Sequence, residues 1–254
     1  MISMGLAPWL VIAGAMLAQD KPADKDLPTV EQVMEKYISA TGGKAAYEKV
    51  KGMRTVGRME LPNAGISGEI EISQAAPAKQ YVVIEFDAVG KIESGTDGKV
   101  AWEINPMSGP RVKEGAEAAI EIRNALISGE LKWKELYASA KVEGKEEIEG
   151  KPVIKVVFTP KEGEGGPMTE YFDAETGLRV KSAMTVTTPQ GELPIEFKIS
   201  DYRKVGDLLI PHMTTQTIAG QDIEIKIEKV ELNPEFAADR FELPAAIKDL
   251  LKKG

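Results

Sequence analysis

The sequence predicts a mainly β, α+β protein: a curved antiparallel sheet covered by a few short helices. Three observations carry this expectation. Apolar and polar residues alternate with period two over most of the chain after Met53. Gly-, Asp- and Asn-containing turns separate the alternating runs, as in hairpins. No strand–helix–strand rhythm appears, which argues against a doubly wound parallel sheet.

The first segment is "LAPWLVIAGAMLA", residues 6–18, an apolar run ending in small residues. It is short of the roughly 20 residues that span a bilayer. The polar stretch "QDKPADKDLP" follows it. This pattern predicts a signal peptide over 1–18, cleaved near Ala18, then a polar linker over 19–28 and export to the periplasm. The leading "MISMG" departs from the usual pattern in having no Lys or Arg.

In "TVEQVMEKYISATGG", Thr29 and Gln32 form a capping-box pattern. Val30, Val33, Met34, Tyr37 and Ile38 make one helical stripe, and Gly42 and Gly43 stop it. "KAAYEKVKG" adds a short further turn.

Strands follow. Ile66, Ile70 and Ile72 share one face of "ISGEIEIS", and Val82, Ile84 and Phe86 one face of "QYVVIEFD". Val100, Trp102 and Ile104 do the same in "KVAWEIN", after Asp97-Gly98, a pair suited to a type I′ turn. Later runs place Ile154, Val156 and Phe158 together, then Ile195, Phe197 and Ile199, then Ile223, Ile225 and Ile227. The phase slips near Glu228–Lys229, which predicts a bulge. Clean alternation means one apolar and one wet face, as in antiparallel sheets. A sheet with this many strands curls toward a barrel, and its apolar faces, Trp102 included, are expected inward.

Residues 114–137 interrupt the strands with two short helices divided at Ser128-Gly129. Ala119, Ile122 and Leu126 form one apolar line, and Leu131, Trp133, Leu136 and Tyr137 the other. The tail 244–254 reads as a helix that begins at Pro244 and ends in Lys252 and Lys253. The main domain is expected over 29–243.

Conventional chemistry is sparse. The 254-residue chain has no cysteine and one histidine, His212, so thiolate chemistry and multi-histidine metal sites are excluded. No metal or cofactor is expected. His212 reads as a strand-face residue rather than a base. A net charge of −8 without a basic stripe argues against nucleic-acid partners. The glycine-rich "KEGEGGPM" lacks the Gly-Lys-Ser/Thr ending of a phosphate loop and reads as a hairpin connection.

Several segments, in order, resemble the LolA/LolB-like superfamily of outer-membrane lipoprotein-sorting proteins. They are "YISATGGKAAYEKVKGMRTVGRM", "TDGKVAWEINPMSGP", "EYFDAETGLRVK", "FKISDYRKVGDLLIPH" and "VELNPEFAADRFELP". The resemblance implies an unclosed β-barrel plugged by helices, with an apolar cavity that shields acyl chains. The family's lid-organising arginine cannot be matched to Arg54 or Arg58, so no such role is transferred.

The expected function is therefore a non-enzymatic, monomeric periplasmic carrier of lipid acyl chains and, by the resemblance, of lipoproteins. Its envelope protein partners are not specified by the sequence. The candidate lining is Ile70, Ile72, Val82, Ile84, Phe86, Val100, Trp102, Ile104, Ile154, Val156, Phe158, Phe197, Ile199 and Ile225. Alternatives are a structural or protein-interaction β domain with a filled core, and a hydrolase using carboxylates or His212.

Overall fold

The computed structural model describes residues 27–87, 89–188 and 191–252. The expected signal peptide, and the linker up to residue 26, lie outside the described residues.

Helix α1, Val30–Ala40, begins where the sequence placed its cap. The Gln32 N–H donates to the Thr29 hydroxyl, and the Thr29 N–H donates to the Gln32 side chain at 2.8 Å. Two otherwise orphaned donors are thereby satisfied. Val30, Val33, Met34 and Tyr37 are buried. The short helix α2, Lys44–Glu48, follows. At Gly42 between them φ is +129°, and a Cβ there would meet the Asp207 carbonyl oxygen at 2.4 Å. Only glycine fits that close crossing.

Strands β1 (Gly52–Leu61), β2 (Ile66–Ala75), β3 (Lys79–Phe86), β4 (Gly90–Thr96), β5 (Ala101–Asn105) and β6 (Gly109–Lys113) form one meander. Strands β7 (Tyr137–Ile148), β8 (Lys151–Pro160), β9 (Met168–Asp173), β10 (Arg179–Thr188), β11 (Gly191–Val205), β12 (Leu208–Ile218) and β13 (Gln221–Leu232) form a second. Antiparallel pairing of β1 with β13 joins them into one 13-stranded sheet. β6 and β7 are its two edges, so the barrel is unclosed. Between those edges the chain runs through α3 (Gly115–Asn124), a 3₁₀ turn (Gly129–Lys132) and α4 (Trp133–Leu136). Helix α5, Ala245–Leu251, is last.

Turn chemistry sets the register. Glu149-Gly150 and Ala219-Gly220 both have positive φ at the two positions between their strands, as a type I′ hairpin requires. The expected bulge is present: Val56 faces Lys229 and Gly57 faces Ile227, leaving Glu228 as the extra residue. Asp97-Gly98 differs from expectation. Four residues separate β4 from β5, and the Asp97 carboxylate organises them by accepting from the N–H groups of Lys99 and Val100 at 2.9 Å. Val100 belongs to this loop, not to a strand.

The register also corrects the direction of Trp102 and Ile104. Ile70 faces Ile84, Ile72 faces Val82 and Val82 faces Ser94, so these residues share one face. Ser94 in turn faces Glu103, whereas Trp102 faces Gly95 and Ile104 faces Glu93. Trp102 and Ile104 therefore stand on the opposite face. Period-two alternation identifies two faces but not which one is inward, and here both are covered. Helix α3 lies on the Glu103 side, through Arg111 to Glu117 (2.7 Å) and Lys113 to Glu121 (2.8 Å). The C-terminal segment covers the Trp102 side: Arg240 stacks over Tyr81, 4.5 Å from its ring centre, and Tyr81 packs against Trp102 with centroids 5.9 Å apart. Gly95 separates Tyr81 from Trp102 in the ladder, and the indole lies over it. Trp102 is buried, and so is Ile247 of α5, the helix packed beside β6.

Candidate ligand cavity

The second meander builds a concave wall. Its β8 contributes Ile154, Val156 and Phe158 in phase, all buried. Register carries that face across the sheet: Phe158 faces Met168, Met168 faces Met184, and Met184 faces Ile195. One row along the strands, Val156, Glu170, Ser182 and Phe197 are neighbours in the same way. Helix α1 packs on part of this wall, Tyr37 meeting Phe172 edge-on at 5.5 Å. Where α1 ends, a cavity of about 400 Å³ opens between the wall and the helical segment. That lies within the roughly 300–1,000 Å³ of ordinary small-ligand sites.

The roof comes from Met34 and Tyr37 of α1, Ile120 and Arg123 of α3, Leu126 after it, and Trp133 and Leu136 of α4. The inward line of α3 thus runs through Ile120 and Arg123, not through Ala119 and Ile122 as expected. The glycine-rich loop closes one side: Gly166 lines the cavity, and Ile120 sits against Gly165. Three methionines on the lining, Met34, Met168 and Met184, provide soft, adaptable surface.

Charged groups also enter. Glu170 is buried and accepts a 2.7 Å hydrogen bond from Nη1 of Arg179. The Arg179 guanidinium lies 5.8 Å from the Tyr37 ring centre. It is set deep in the fold, yet 27% of its side-chain surface stays accessible because it borders the cavity. Its Nε has no acceptor. Burial opposes the Arg179 charge most strongly, but Glu170, Tyr37, Tyr202 and Glu130 together outweigh it and hold the guanidinium well above its ordinary range. Arg123 stacks over Tyr137 at 5.5 Å and donates to the Glu164 carbonyl at 3.3 Å. Glu130, in the 3₁₀ turn, also lines the cavity. Burial pushes the Tyr137 and Tyr202 phenols up to about 12, and Tyr37 well above its ordinary value. They stay neutral donors at physiological pH, and the Tyr202 hydroxyl donates to the Arg179 carbonyl at 2.8 Å.

Of the residues expected to line a cavity, Phe158, Phe197 and Ile199 do so. Ile154 and Val156 are packed in the core beneath α1. Ile70, Ile72, Val82, Ile84, Phe86 and Ile225 lie on the helix-covered face but not on this cavity's lining. Val100, Trp102 and Ile104 lie elsewhere. His212 is buried on β12, its Nδ1 2.8 Å from the Ile210 carbonyl, and is absent from the lining. No cluster of three metal-ligating side chains occurs among the described residues. A further cavity of about 690 Å³ lies on the outer face of β8–β13, where Val153, Leu178 and Val180 stand among polar groups that include the ion pair of Lys181 with Glu196 (2.8 Å).

Sequence reasoning missed Arg123, Glu130, Glu170 and Arg179. One signal was present: in "MTEYFD" the carboxylate of Glu170 occupies the apolar phase between Met168 and Phe172. Arg179 gave none, because a register shift between Arg179 and Lys181 resets its facing.

No family model matches this sequence, and no curated protein matches it. Solved structures do. A DUF1329 family protein from Desulfovibrio piger superposes with TM-score 0.60 at 13% identity, covering 85% of this chain and 98% of that one. A LolA superfamily protein from Nitrosomonas europaea gives 0.58 at 13%, covering 85% and 99%. A putative outer-membrane lipoprotein-sorting protein domain from Vibrio parahaemolyticus gives 0.56 at 15%, covering 87% and 99%. At such identities the likeness is one of architecture. The chain shares with these structures the architecture of an unclosed antiparallel half-barrel with a helical cover.

Proposed function

We propose that the protein is an exported, periplasmic carrier or binder of lipid acyl chains, and that an acyl chain occupies the cavity between the second meander and the helices. The observation that carries this reading is the cavity itself, with Phe158, Met168, Met184, Phe197 and Ile199 on its wall. Each methylene removed from water contributes about 0.8 kcal/mol, so eight of them supply about 6 kcal/mol before the cost of association. Such binding needs no catalytic group. Ile70, Ile72, Val82, Ile84, Phe86 and Ile225 extend the same face toward β3 and would meet a longer chain. Lipoproteins are the cargo the fold resemblance favours. Among the described residues no helix is long and apolar enough to cross a membrane.

Trp133 borders the cavity and Trp102 does not, so two single-tryptophan proteins test the reading. With Trp9 and Trp102 replaced by Phe, Trp133 emission is expected to shift to the blue as an acyl ligand is added. With Trp9 and Trp133 replaced, Trp102 emission is expected to stay constant. A silent Trp133, together with no lipid or lipoprotein in native mass spectra of protein from its own envelope, would sink the proposal. Intact mass of the mature protein tests export, which predicts loss of residues 1–18.

A further inference from the structure

The cavity is not uniformly greasy, and its polar groups balance unusually. Arg123 and Arg179 contribute two positive charges to its lining, and Glu130 and Glu170 two negative ones, with the Glu164 carboxylate outside the lining 3.8 Å from Arg123. Within that balance two groups have spare bonding capacity. Arg179 spends Nη1 on Glu170 and keeps Nε buried without an acceptor, while the accessible part of its guanidinium borders the cavity. Glu130 has no hydrogen-bond or ion-pair partner among the described residues. The wall is also zoned along the strands. Phe158, Met168 and Met184 form an apolar row, and in the next one Glu170 and Ser182 stand between Val156 and Phe197, with Arg179 beyond. An occupant that fits has an apolar tail on the first row and a head that accepts from Arg179 and donates to Glu130.

From this we infer that the cavity selects single-chain acyl amphiphiles whose head is uncharged and bears hydroxyl and carbonyl groups, a monoacylglycerol type of ligand, and that Arg179 and Glu130 determine that preference. The inference rests on the acyl-binding reading above. An ester carbonyl gives Arg179 an acceptor, and a hydroxyl gives Glu130 a donor. A free fatty acid would bring an added negative charge into a balanced set, beside Glu130 and Glu170. An alkyl ammonium would answer Glu130 but would leave Arg179 facing a like charge. Burying an uncompensated charge costs more than burying a hydrogen-bonded neutral group.

The test compares three ligands of equal chain length below their micelle concentrations: 1-monolauroylglycerol, laurate and dodecylamine. Each displaces the neutral apolar dye N-phenyl-1-naphthylamine from the full-length protein at pH 7.5. Wild type is expected to hold the monoglyceride about tenfold more tightly than either charged ligand, the scale of one or two lost hydrogen bonds. Glu130→Gln is expected to narrow the gap to laurate by removing the repelling carboxylate. Arg179→Gln is expected to weaken the monoglyceride while leaving dodecylamine no weaker. Glu170→Gln, which uncovers the Arg179 charge, is expected to move the preference to laurate. Thermal unfolding checks each variant, and Glu130→Gln, at a half-buried turn, carries the test if the Arg179 variant does not fold. Equal displacement by all three ligands, unchanged in Glu130→Gln, would overturn this inference and leave the acyl-binding reading standing. Failure of every ligand and of the dye to bind would overturn both.

Discussion

The two meanders share one sheet and one hairpin grammar, but they manage their faces differently. Around β4–β6 both faces are covered, one by α3 and the other by the C-terminal segment with Arg240 and α5. Trp102 is buried there against Tyr81, over Gly95. In β8–β12 the outer face carries exposed Glu196, Lys198 and Ser200, and the inner face stands back from its helices to leave the cavity. The β4–β6 end of the first meander is packed on both sides, and the second meander is a wall with space in front of it. Apolar content does not distinguish them. What distinguishes them is the cover: a second segment laid against the outside lets the β4–β6 end pack on both sides.

The sharpest way to break this comparison is to hollow the sealed side. Trp102→Ala is expected to cost about 3–5 kcal/mol, as for other buried aromatics. Acyl-ligand affinity of the folded fraction should be unchanged. Urea unfolding with dye binding measures both, and a folded Trp102→Ala protein with altered affinity would show that the two sides are not separate.

The next effect belongs to the cavity side. Glu170→Ala leaves the Arg179 guanidinium buried beside no carboxylate, which is expected to cost about 3 kcal/mol. The double variant Glu170→Leu, Arg179→Met should recover most of it, because the pair's desolvation cost disappears with its charges. If the double variant is no more stable than the single one in urea, the ion pair is not the source of the loss.

Much of this architecture was legible before any coordinates. The α1 cap, the hairpin at Glu149-Gly150 and the bulge at Glu228 follow from local chemistry, in which a few neighbouring residues decide the outcome. The sidedness of Trp102 was not legible, because it depends on a ladder that passes through β4 and on a C-terminal segment more than a hundred residues away. Phe158, Phe197 and Ile199 could be named as lining because their strands keep a simple alternation. Arg179 could not, since the shift before Lys181 erases its phase. Glu170 was readable as a carboxylate in an apolar phase, and that departure from pattern marked the polar part of the cavity.

A smaller effect is expected at Phe197→Ala. Phe197 is half-buried on the cavity wall, so part of its surface faces open space rather than packed atoms. The loss should fall to about 1–2 kcal/mol, below the range for fully packed aromatics. Acyl-ligand affinity should fall instead, because the wall retreats from the tail. Comparing Phe197→Ala with Trp102→Ala in one experiment inverts the two readouts, stability against binding.

The smallest expected effect concerns how the outer cover is fastened. Glu71 bridges Arg54, at 2.5 Å, and Arg240, which also donates to Ser73 at 2.9 Å. Its bond with Arg54 holds the Glu71 carboxyl below its ordinary value, against the opposing effect of partial burial, and Arg240 adds to the lowering. A carboxylate lowered in the folded state binds protons more readily when unfolded. Its contribution is therefore complete above the unfolded value of about 4.3 and is lost as pH falls below that. Hydrogen-exchange protection over 233–252, taken relative to the intrinsic rate at each pH, should fall between about pH 5 and pH 3 before the second meander loosens. In Glu71→Gln that early phase should be absent, the segment being less protected already at neutral pH and converging with wild type at low pH. Simultaneous loosening of the C-terminal segment and β8–β12 would mean that cover and cavity wall open as one unit.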